Sequence, residues 1–240
     1  MEHPILFISV ILAKLGLPIP HGLVGHTLLE KLVSPHMTYT WMVMAFLIIV
    51  PKLTLGKLEM IPGTGQNFWE AVVGGIESFM ADNMGKEGAR MMFPMLSTFA
   101  LYIVCSNLIG LMPGFMSPTS NLNVTLGCTI IVFTTTHILG LKFHGVGYIK
   151  HFLGPIPALI PLMFPIEVIS HLARLLSLSI RLFGNIMAKE TLLAILFMLA
   201  GAYFAPLPIL CLGVLVSFVQ ALVFVLLSIL YFSAAMEHAH

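Results

Sequence analysis

The chain has 240 residues, of which 58% are apolar and 9% are charged, and its mean hydropathy is +1.01. Soluble globular domains carry about 25% charged residues, so this composition excludes a water-soluble enzyme. The 11 Lys and Arg nearly balance the 10 Asp and Glu. Without a basic surface, the chain is not expected to bind nucleic acid. Because no polar linker divides the chain, we expect one membrane domain, 1–240, embedded in a lipid bilayer.

Intervals free of Asp, Glu, Lys and Arg locate the spans, because a helix needs about 20 apolar residues to cross a hydrocarbon core about 30 Å thick. The first interval is 32–51. A second, 91–141, is too long for one helix, and the turn signals in 112–123 divide it into a hairpin. A third, 191–236, is divided by Gly and Pro residues in 201–208 into two long helices.

The predicted fold is therefore an all-α polytopic membrane protein with five crossing helices and one amphipathic interfacial helix. The expected segments are an N-terminal outer segment 1–31, a first span 32–55, an interfacial helix 66–84, a helical hairpin 91–141 and a long hairpin 155–236. The last two helices would be about 52 and about 42 Å long, so we expect both to tilt strongly in the membrane.

The interfacial helix is predicted from an apolar stripe that recurs at helical spacing while acidic residues take other positions. Its apolar members are Trp69, Val72, Val73, Ile76 and Met80, and its acidic members are Glu70, Glu77 and Asp82. The pattern of Asn67 followed by Glu70 resembles a capping box and predicts a helix start there. A loop helix packed on a partner remains the alternative.

The loop charges predict the orientation, because Lys and Arg accumulate on the cytoplasmic side of a membrane. Three loops carry such pairs, namely Lys52 with Lys57, Lys86 with Arg90, and Lys142 with Lys150. The turns in 112–123 and 201–208 contain no charge and are assigned to the outside. The number of crossings then places the N-terminus outside and the C-terminus in the cytoplasm.

The helix after Pro165 carries a polar stripe in otherwise apolar sequence. At about 100° per residue, Arg174, Glu167, Asn185, His171 and Lys189 fall within about 80° of Arg181. Glu190 falls on the opposite side, about 13.5 Å further along the axis. Charges at membrane depth are expensive, so a chain that retains several usually pairs or uses them.

Two interpretations of this stripe remain open: its charges only orient the helices, or the protein uses them in its function. Glu167, His171 and Arg174 share one face, and they are compatible with a buried network that only orients helices. Arg181 has no carboxylate three or four positions away in either direction, so its partner is expected outside this helix.

On the last helix Ser217, Gln220, Phe224 and Ser228 share a face that would complete an aqueous path.

These residues resemble a known family. The run from Leu178 to Asn185, the nine-residue spacing from Arg181 to Glu190, and Gln220 in the last helix resemble subunit a of the F-type ATP synthase membrane sector. The resemblance extends over about 66–240. Further matching positions are Pro165 to Glu167, Ser106 to Leu108, Pro113, and Asn121 to Thr125.

The resemblance implies a non-catalytic stator subunit that faces a ring of c subunits and forms two offset proton half-channels. It implies as partners the c ring, the b-subunit peripheral stalk and the rest of the complex, in a bacterial inner membrane. Arg181 would be the essential arginine, because a guanidinium stays charged and attracts a ring carboxylate without relaying the proton. Glu190 would belong to the outer half-channel and Glu167 to the cytoplasmic one. The implied polar lining comprises Asn185, Gln220, Ser177 and Asn107.

Three positions depart from the family pattern. Gly213 stands where many relatives have an ionisable residue, Gly110 where an acidic residue is common, and Leu175 where a Pro is usual. The outer half-channel would then depend on Glu190 with water, or on His137 from the hairpin.

Other classes are less compatible with the sequence. A secondary transporter or cation/proton antiporter also buries ionisable residues, but it favours an internal repeat, which we do not find. The protease motifs G-x-S-x-G and H-E-x-x-H are absent. The C-terminal Glu237, His238 and His240 are interpreted as a solvated end, and the cysteines Cys105, Cys128 and Cys211 as small buried apolar side chains. No metal or cofactor is expected.

Overall fold

The computed structural model describes residues 35–56, 59–112, 115–145, 160–200 and 207–236. They form five α-helices and a short 3₁₀ helix: α1 (Pro35–Leu55), α2 (Thr64–Ile109), the 3₁₀ helix (Pro118–Ser120), α3 (Leu122–His144), α4 (Ile160–Ala200) and α5 (Leu207–Met236). All five α-helices are long and apolar enough to cross a membrane, and these ranges contain no strand. The predicted all-α polytopic class with five crossing helices is confirmed.

Some sequence predictions fall outside the described residues. These are the N-terminal segment 1–31, the Pro113 position, the turn 201–206 and the C-terminal residues 237–240.

Helix α2 differs from the prediction of two separate helices. It runs from Thr64 to Ile109 and is interrupted only at Gly85, whose φ of 75° and ψ of 162° are non-helical. Glycine adopts this positive φ without the steric penalty of a side chain, so the helix bends there. The predicted capping box at Asn67 is wrong, because the Asn67 N–H already bonds the Gly63 carbonyl at 2.9 Å and the helix begins a turn earlier.

The amphipathic character of the part of α2 before Gly85 agrees with the prediction. Its apolar stripe is half-buried, with Met80 fully buried, whereas Glu70, Glu77 and Asp82 are exposed. Its position on the membrane surface stays a prediction.

Helix α4 begins at Ile160, earlier than the predicted start after Pro165. Pro165 lies in the second helical turn, where its missing N–H removes one hydrogen bond near the helix start, and the helix continues through it. With 41 and 30 residues, α4 and α5 are about 60 and 45 Å long. Both exceed the hydrocarbon core, which supports the predicted tilt.

The core lies between α2, α3 and α5, where Phe99 of α2 meets Phe224 of α5 at a ring-centroid distance of 5.8 Å. Helix α1 packs on α2 and on the 3₁₀ helix, and α4 packs mainly on α3. The cysteine prediction holds for Cys128, which is buried, and is wrong for Cys211, which is exposed. Cys211 shares that surface with exposed apolar side chains, where lipid rather than a protein core supplies the apolar surroundings.

Candidate functional site

Glu190 of α4 lies against the turn that joins α2 to α3. Its Oε1 accepts a hydrogen bond of 2.8 Å from the backbone N–H of Ser117. Gly110, at the end of α2, approaches the same group so closely that a Cβ there would lie 2.9 Å from Oε1. The half-buried carboxylate is therefore held between the two ends of this turn.

A buried polar cluster continues from Ser117 into α2. The Ser117 hydroxyl donates to the Ser106 carbonyl at 2.9 Å and lies 2.6 Å from the Thr119 hydroxyl, in a contact for which either oxygen could be the donor. Thr119 donates to Asn107 Oδ1 at 2.6 Å. The Nδ2 group of Asn107 has no partner among the described residues, although the residue is fully buried. Asn107, a predicted site residue, is thus joined to the turn that holds Glu190.

Lys189 enters the same region from a neighbouring face of α4, about 100° around the helix from Glu190. It is buried, with 8% exposure. Its Nζ donates to the Asn107 carbonyl at 3.2 Å and to the Ser217 hydroxyl of α5 at 3.5 Å. The ammonium group is therefore held by neutral oxygens of α2 and α5, beside the carboxylate of Glu190.

The two glycines that depart from the family pattern face these two charged residues. A Cβ at Gly213 would lie 3.2 Å from Cδ of Lys189 and 2.5 Å from Cδ2 of Leu111. A Cβ at Gly110 would likewise lie 2.9 Å from Oε1 of Glu190. Lys189 and Glu190, which are consecutive on α4, occupy the space that larger residues at positions 213 and 110 would fill.

A second contact joins α4 to α5. The amide Nδ2 of Asn185 donates to Gln220 Oε1 at 2.7 Å. Gln220 is buried together with Ser217, Phe224 and Ser228, so the predicted shared face of α5 points into the protein. Sequence reasoning selected both amides, and the structure brings them together.

Arg181 occupies a different environment. It is exposed, and within the described ranges it makes no hydrogen bond or ion pair. Ser177, also exposed, lies one turn away, and a Cβ at Gly184 would meet nothing within 4 Å. The expectation that the partner of Arg181 lies outside its own helix agrees with this geometry.

The predicted acid–histidine group lies near the other end of α4. Glu167 Oε1 is 3.3 Å from His171 Nε2, and both side chains are partly exposed. Arg174 lies over the Tyr231 ring of α5, 5.8 Å from its centroid. His137 of α3 packs on His171 at a ring-centroid distance of 5.2 Å. His137 therefore lies with the group of Glu167 and His171, and not beside Glu190 as one alternative from the sequence suggested.

The site residues therefore form two polar groups separated along α4. Glu167 and Glu190 are about 35 Å apart along the helix axis, and Arg181 lies between them, about 14 Å from Glu190. One group faces α3 and α5 near Tyr231, and the other faces the turn between α2 and α3. The exposed arginine separates them.

Sequence reasoning missed several members of the Glu190 group. They are Ser117, Thr119 and, on α1, His36, which hydrogen-bonds the backbone of Ser117, together with Lys189, which was placed in the polar stripe but not selected as a site residue. Two charged residues in succession within an apolar span were a usable signal for Lys189. The other three lie far from α4 in sequence and lack such a signal.

This architecture is that of a multi-pass α-helical membrane protein with polar and charged groups between its spans. A family model described as ATP synthase A chain matches residues 37–233. ATP synthase subunit a of Desulfotalea psychrophila is 68% identical over the full length of both chains. The proteins of the same name from Desulfosudis oleivorans and Syntrophobacter fumaroxidans are 53% and 50% identical, again over the full length of both chains.

The chain belongs to the ATP synthase A chain family. It is accordingly a non-catalytic, proton-channel subunit and a multi-pass protein of the inner membrane. Family membership also leaves the secondary-transporter alternative without support.

Proposed function

We propose that the chain is the stator of a rotary ATP synthase and that it forms two proton half-channels against a ring of c subunits. Arg181 faces the ring between the half-channels. The Glu190 group forms the outer half-channel, and the Glu167 group forms the cytoplasmic one. Its partners are the c ring, the b-subunit peripheral stalk and the rest of the complex.

The observation that carries this proposal is the exposure of Arg181. A guanidinium at membrane depth without a counter-charge is unfavourable by several kcal/mol, and no carboxylate among the described residues pairs with Arg181. A carboxylate supplied by another subunit would satisfy it. Because Arg stays protonated at any working pH, it attracts that carboxylate and blocks direct proton passage.

The surface around Arg181 fits the close approach of another helix. Gly184 and Ala188 lie within about 60° of Arg181 on α4, as does Ser177. Small residues allow the backbones of membrane helices to approach each other. The open space beside Gly184 supports a contact with a second protein there.

Proton passage through these groups would drive the ring. Each proton that crosses a potential of 100 mV releases about 2.3 kcal/mol, which rotation transmits to the catalytic head. The amide pair of Asn185 and Gln220 would position the α4 surface near Arg181, because it ties α4 to α5 in this region.

We also propose that residues 1–240 form one membrane domain with its N-terminus outside and its C-terminus in the cytoplasm. Lys52 and Lys142 lie in the last turns of α1 and α3, whereas the described part of the turn before α3 carries no charge. This distribution supports a cytoplasmic position for the lysines. Proteolysis of a C-terminal tag in inverted vesicles, but not in intact cells, tests the orientation.

The central test is ATP-driven acidification of inverted membrane vesicles that contain the complete complex with either the wild-type chain or Arg181→Ala. Assembly is checked by co-purification of the ring and the catalytic head. We expect Arg181→Ala to abolish pumping with assembly intact. The matched control is Arg174→Ala on the same helix, for which we expect reduced but measurable pumping.

Normal pumping by Arg181→Ala would contradict the stator mechanism. Purification of the chain without ring or head, with solute-dependent proton flux that needs no ATP, would instead indicate a secondary transporter.

A further inference from the structure

His36 is a buried histidine at the start of α1 that belongs to none of the groups selected from the sequence. It is 5% exposed and hydrogen-bonds the backbone of Ser117. Its Nδ1 has no partner among the described residues, and the Ser117 N–H already donates to Glu190, so we assign the bond between His36 and Ser117 to Nε2 and the carbonyl oxygen. In the neutral ring Nδ1 is then the free acceptor.

Ser117 connects His36 to Glu190. The N–H of Ser117 donates to Glu190 Oε1 at 2.8 Å, while its carbonyl accepts from His36. The backbone nitrogen and oxygen of Ser117 are only three covalent bonds apart. The His36 imidazole and the Glu190 carboxylate therefore bond the same residue at its two backbone polar groups. Helices α1 and α4 therefore meet through this residue.

The contact between α1 and the turn has a second, non-titrating component. Tyr39, one helical turn after His36, hydrogen-bonds the backbone of Met116, and its ring lies 5.8 Å from that of Phe115. An anchoring role for α1 is thus already served by Tyr39. A buried imidazole with one unbonded nitrogen is not required for it, because unsatisfied buried polar atoms are unfavourable.

We propose that His36 is a further titratable group of the outer half-channel, beside Glu190 and Lys189, and that it passes protons to Glu190. The proposal rests on the proposed function. A proton from the outer solution binds Nδ1 of the neutral ring and forms imidazolium. It then leaves Nδ1 through water to the Glu190 carboxylate, which becomes a carboxylic acid while the ring returns to its neutral form.

The chemistry of imidazole suits this step. Histidine is the side chain whose unperturbed pKa lies between about pH 5 and 8, so its imidazole both accepts and releases protons under working conditions. The charged and titratable groups around it are Glu190 and Lys189 from α4, Tyr39 on its own helix and Tyr102 from α2, which donates to Thr40. Gly110 and Gly213 have no ionisable side chains, so neither position supplies a further proton-binding group on this side.

The test measures passive proton conduction in inverted vesicles from which the catalytic head has been removed, with a potassium diffusion potential and a varied lumenal pH. The lumen corresponds to the outer side. We expect His36→Gln to lower conduction about tenfold at pH 7 and to remove its dependence on lumenal pH between about 6 and 8. The ring and the stalk should still co-purify, because the Gln amide can donate to the Ser117 carbonyl.

Two controls separate proton transfer from anchoring. Tyr39→Phe removes the neighbouring hydrogen bond to the turn and should keep the wild-type pH profile. His144→Gln, at the far end of α3, should keep it as well. An unchanged rate and profile in His36→Gln, or the same loss of pH dependence in Tyr39→Phe, would overturn the proposal.

A wild-type measurement covers the case in which His36→Gln does not assemble. Conduction by the unmodified complex must depend on lumenal pH in this range, and independence from it would also overturn the proposal. If Arg181→Ala keeps coupled pumping, the stator function itself fails. If Arg181→Ala loses pumping while His36→Gln behaves as wild type, only the role of His36 fails.

Discussion

Glu190 Oε1 accepts a 2.8 Å hydrogen bond from the backbone nitrogen of Ser117, a residue 73 positions earlier in the chain. This bond joins the C-terminal part of α4 to the turn between α2 and α3. It places one carboxylate beside the buried cluster of Ser106, Asn107 and Thr119. The contact fixes where the outer end of the proposed proton path lies.

The first prediction compares the two acids of α4. In Glu190→Gln the side-chain oxygen still accepts from Ser117, so the local structure is kept while the group loses its ability to bind a proton. We expect ATP-driven acidification to fall about tenfold or more, and by only about two- to threefold in Glu167→Gln, whose partly exposed acid lies beside His171. Equal effects of the two substitutions would contradict different roles for these acids.

The second prediction concerns the space around Glu190. In Gly110→Ala the new methyl group would lie 2.9 Å from Glu190 Oε1 and 2.7 Å from Ser117 Cβ. The carboxylate must therefore move away from the Ser117 N–H, and we expect pumping to fall about three- to tenfold without any change of charge. Gly127→Ala on α3 is the matched control, because a Cβ there meets nothing within 4 Å. Equal rates in the two variants would show that the position of Glu190 does not matter.

The third prediction concerns the contact between α5 and Lys189. In Gly213→Ala the added Cβ would lie 2.5 Å from Leu111 Cδ2 and 3.2 Å from Lys189 Cδ. Overpacking of this kind costs about 1 to 3 kcal/mol, so we expect a lower midpoint of thermal inactivation of the purified complex. Adding Leu111→Ala should restore part of the loss, since it removes the atom in closest contact. A double variant no more stable than Gly213→Ala alone would place the cause elsewhere.

The fourth prediction tests the surface beside Arg181. Within the chain Gly184 has open space, so Gly184→Leu should leave the insertion and abundance of the subunit unchanged. If the c ring lies against this surface, the larger side chain separates the two, and pumping should fall at least about tenfold. Gly127→Leu, also in open space, serves as the control and should pump normally. Full activity in Gly184→Leu would mean that this part of α4 does not face the ring.

Much of the fold follows from composition and local pattern. Uncharged intervals of sufficient length predict the five crossing helices, and the amphipathic stripe of Trp69, Val72 and Ile76 predicts the helix before Gly85. The helix boundaries follow less well. Thr64 rather than Asn67 begins α2, and Pro165 lies inside α4, because backbone hydrogen bonds to neighbouring residues override local capping and proline signals.

Several residues of the candidate site could be predicted from the sequence, but most of their contacts could not. Arg181, Glu190, Asn185 and Gln220 were selected from charge placement and family resemblance. Lys189 was visible in the polar stripe, but its contacts with Asn107 and Ser217 required the packing of three helices. His137 was one of two alternatives for the group around Glu190, but it packs on His171, because the sequence does not reveal which part of a neighbouring helix a side chain meets.

The sequence by itself determined that this chain crosses a membrane in several helices and keeps an arginine without a partner on its own helix. Both follow from local quantities, since the transfer of residues into hydrocarbon and the spacing along one helix need no knowledge of distant contacts. Only the tertiary structure decided that His36, Ser117, Lys189 and Glu190 share one end of the bundle. Contacts between residues so far apart in the chain depend on how the helices pack, and that packing is set by many side chains acting together.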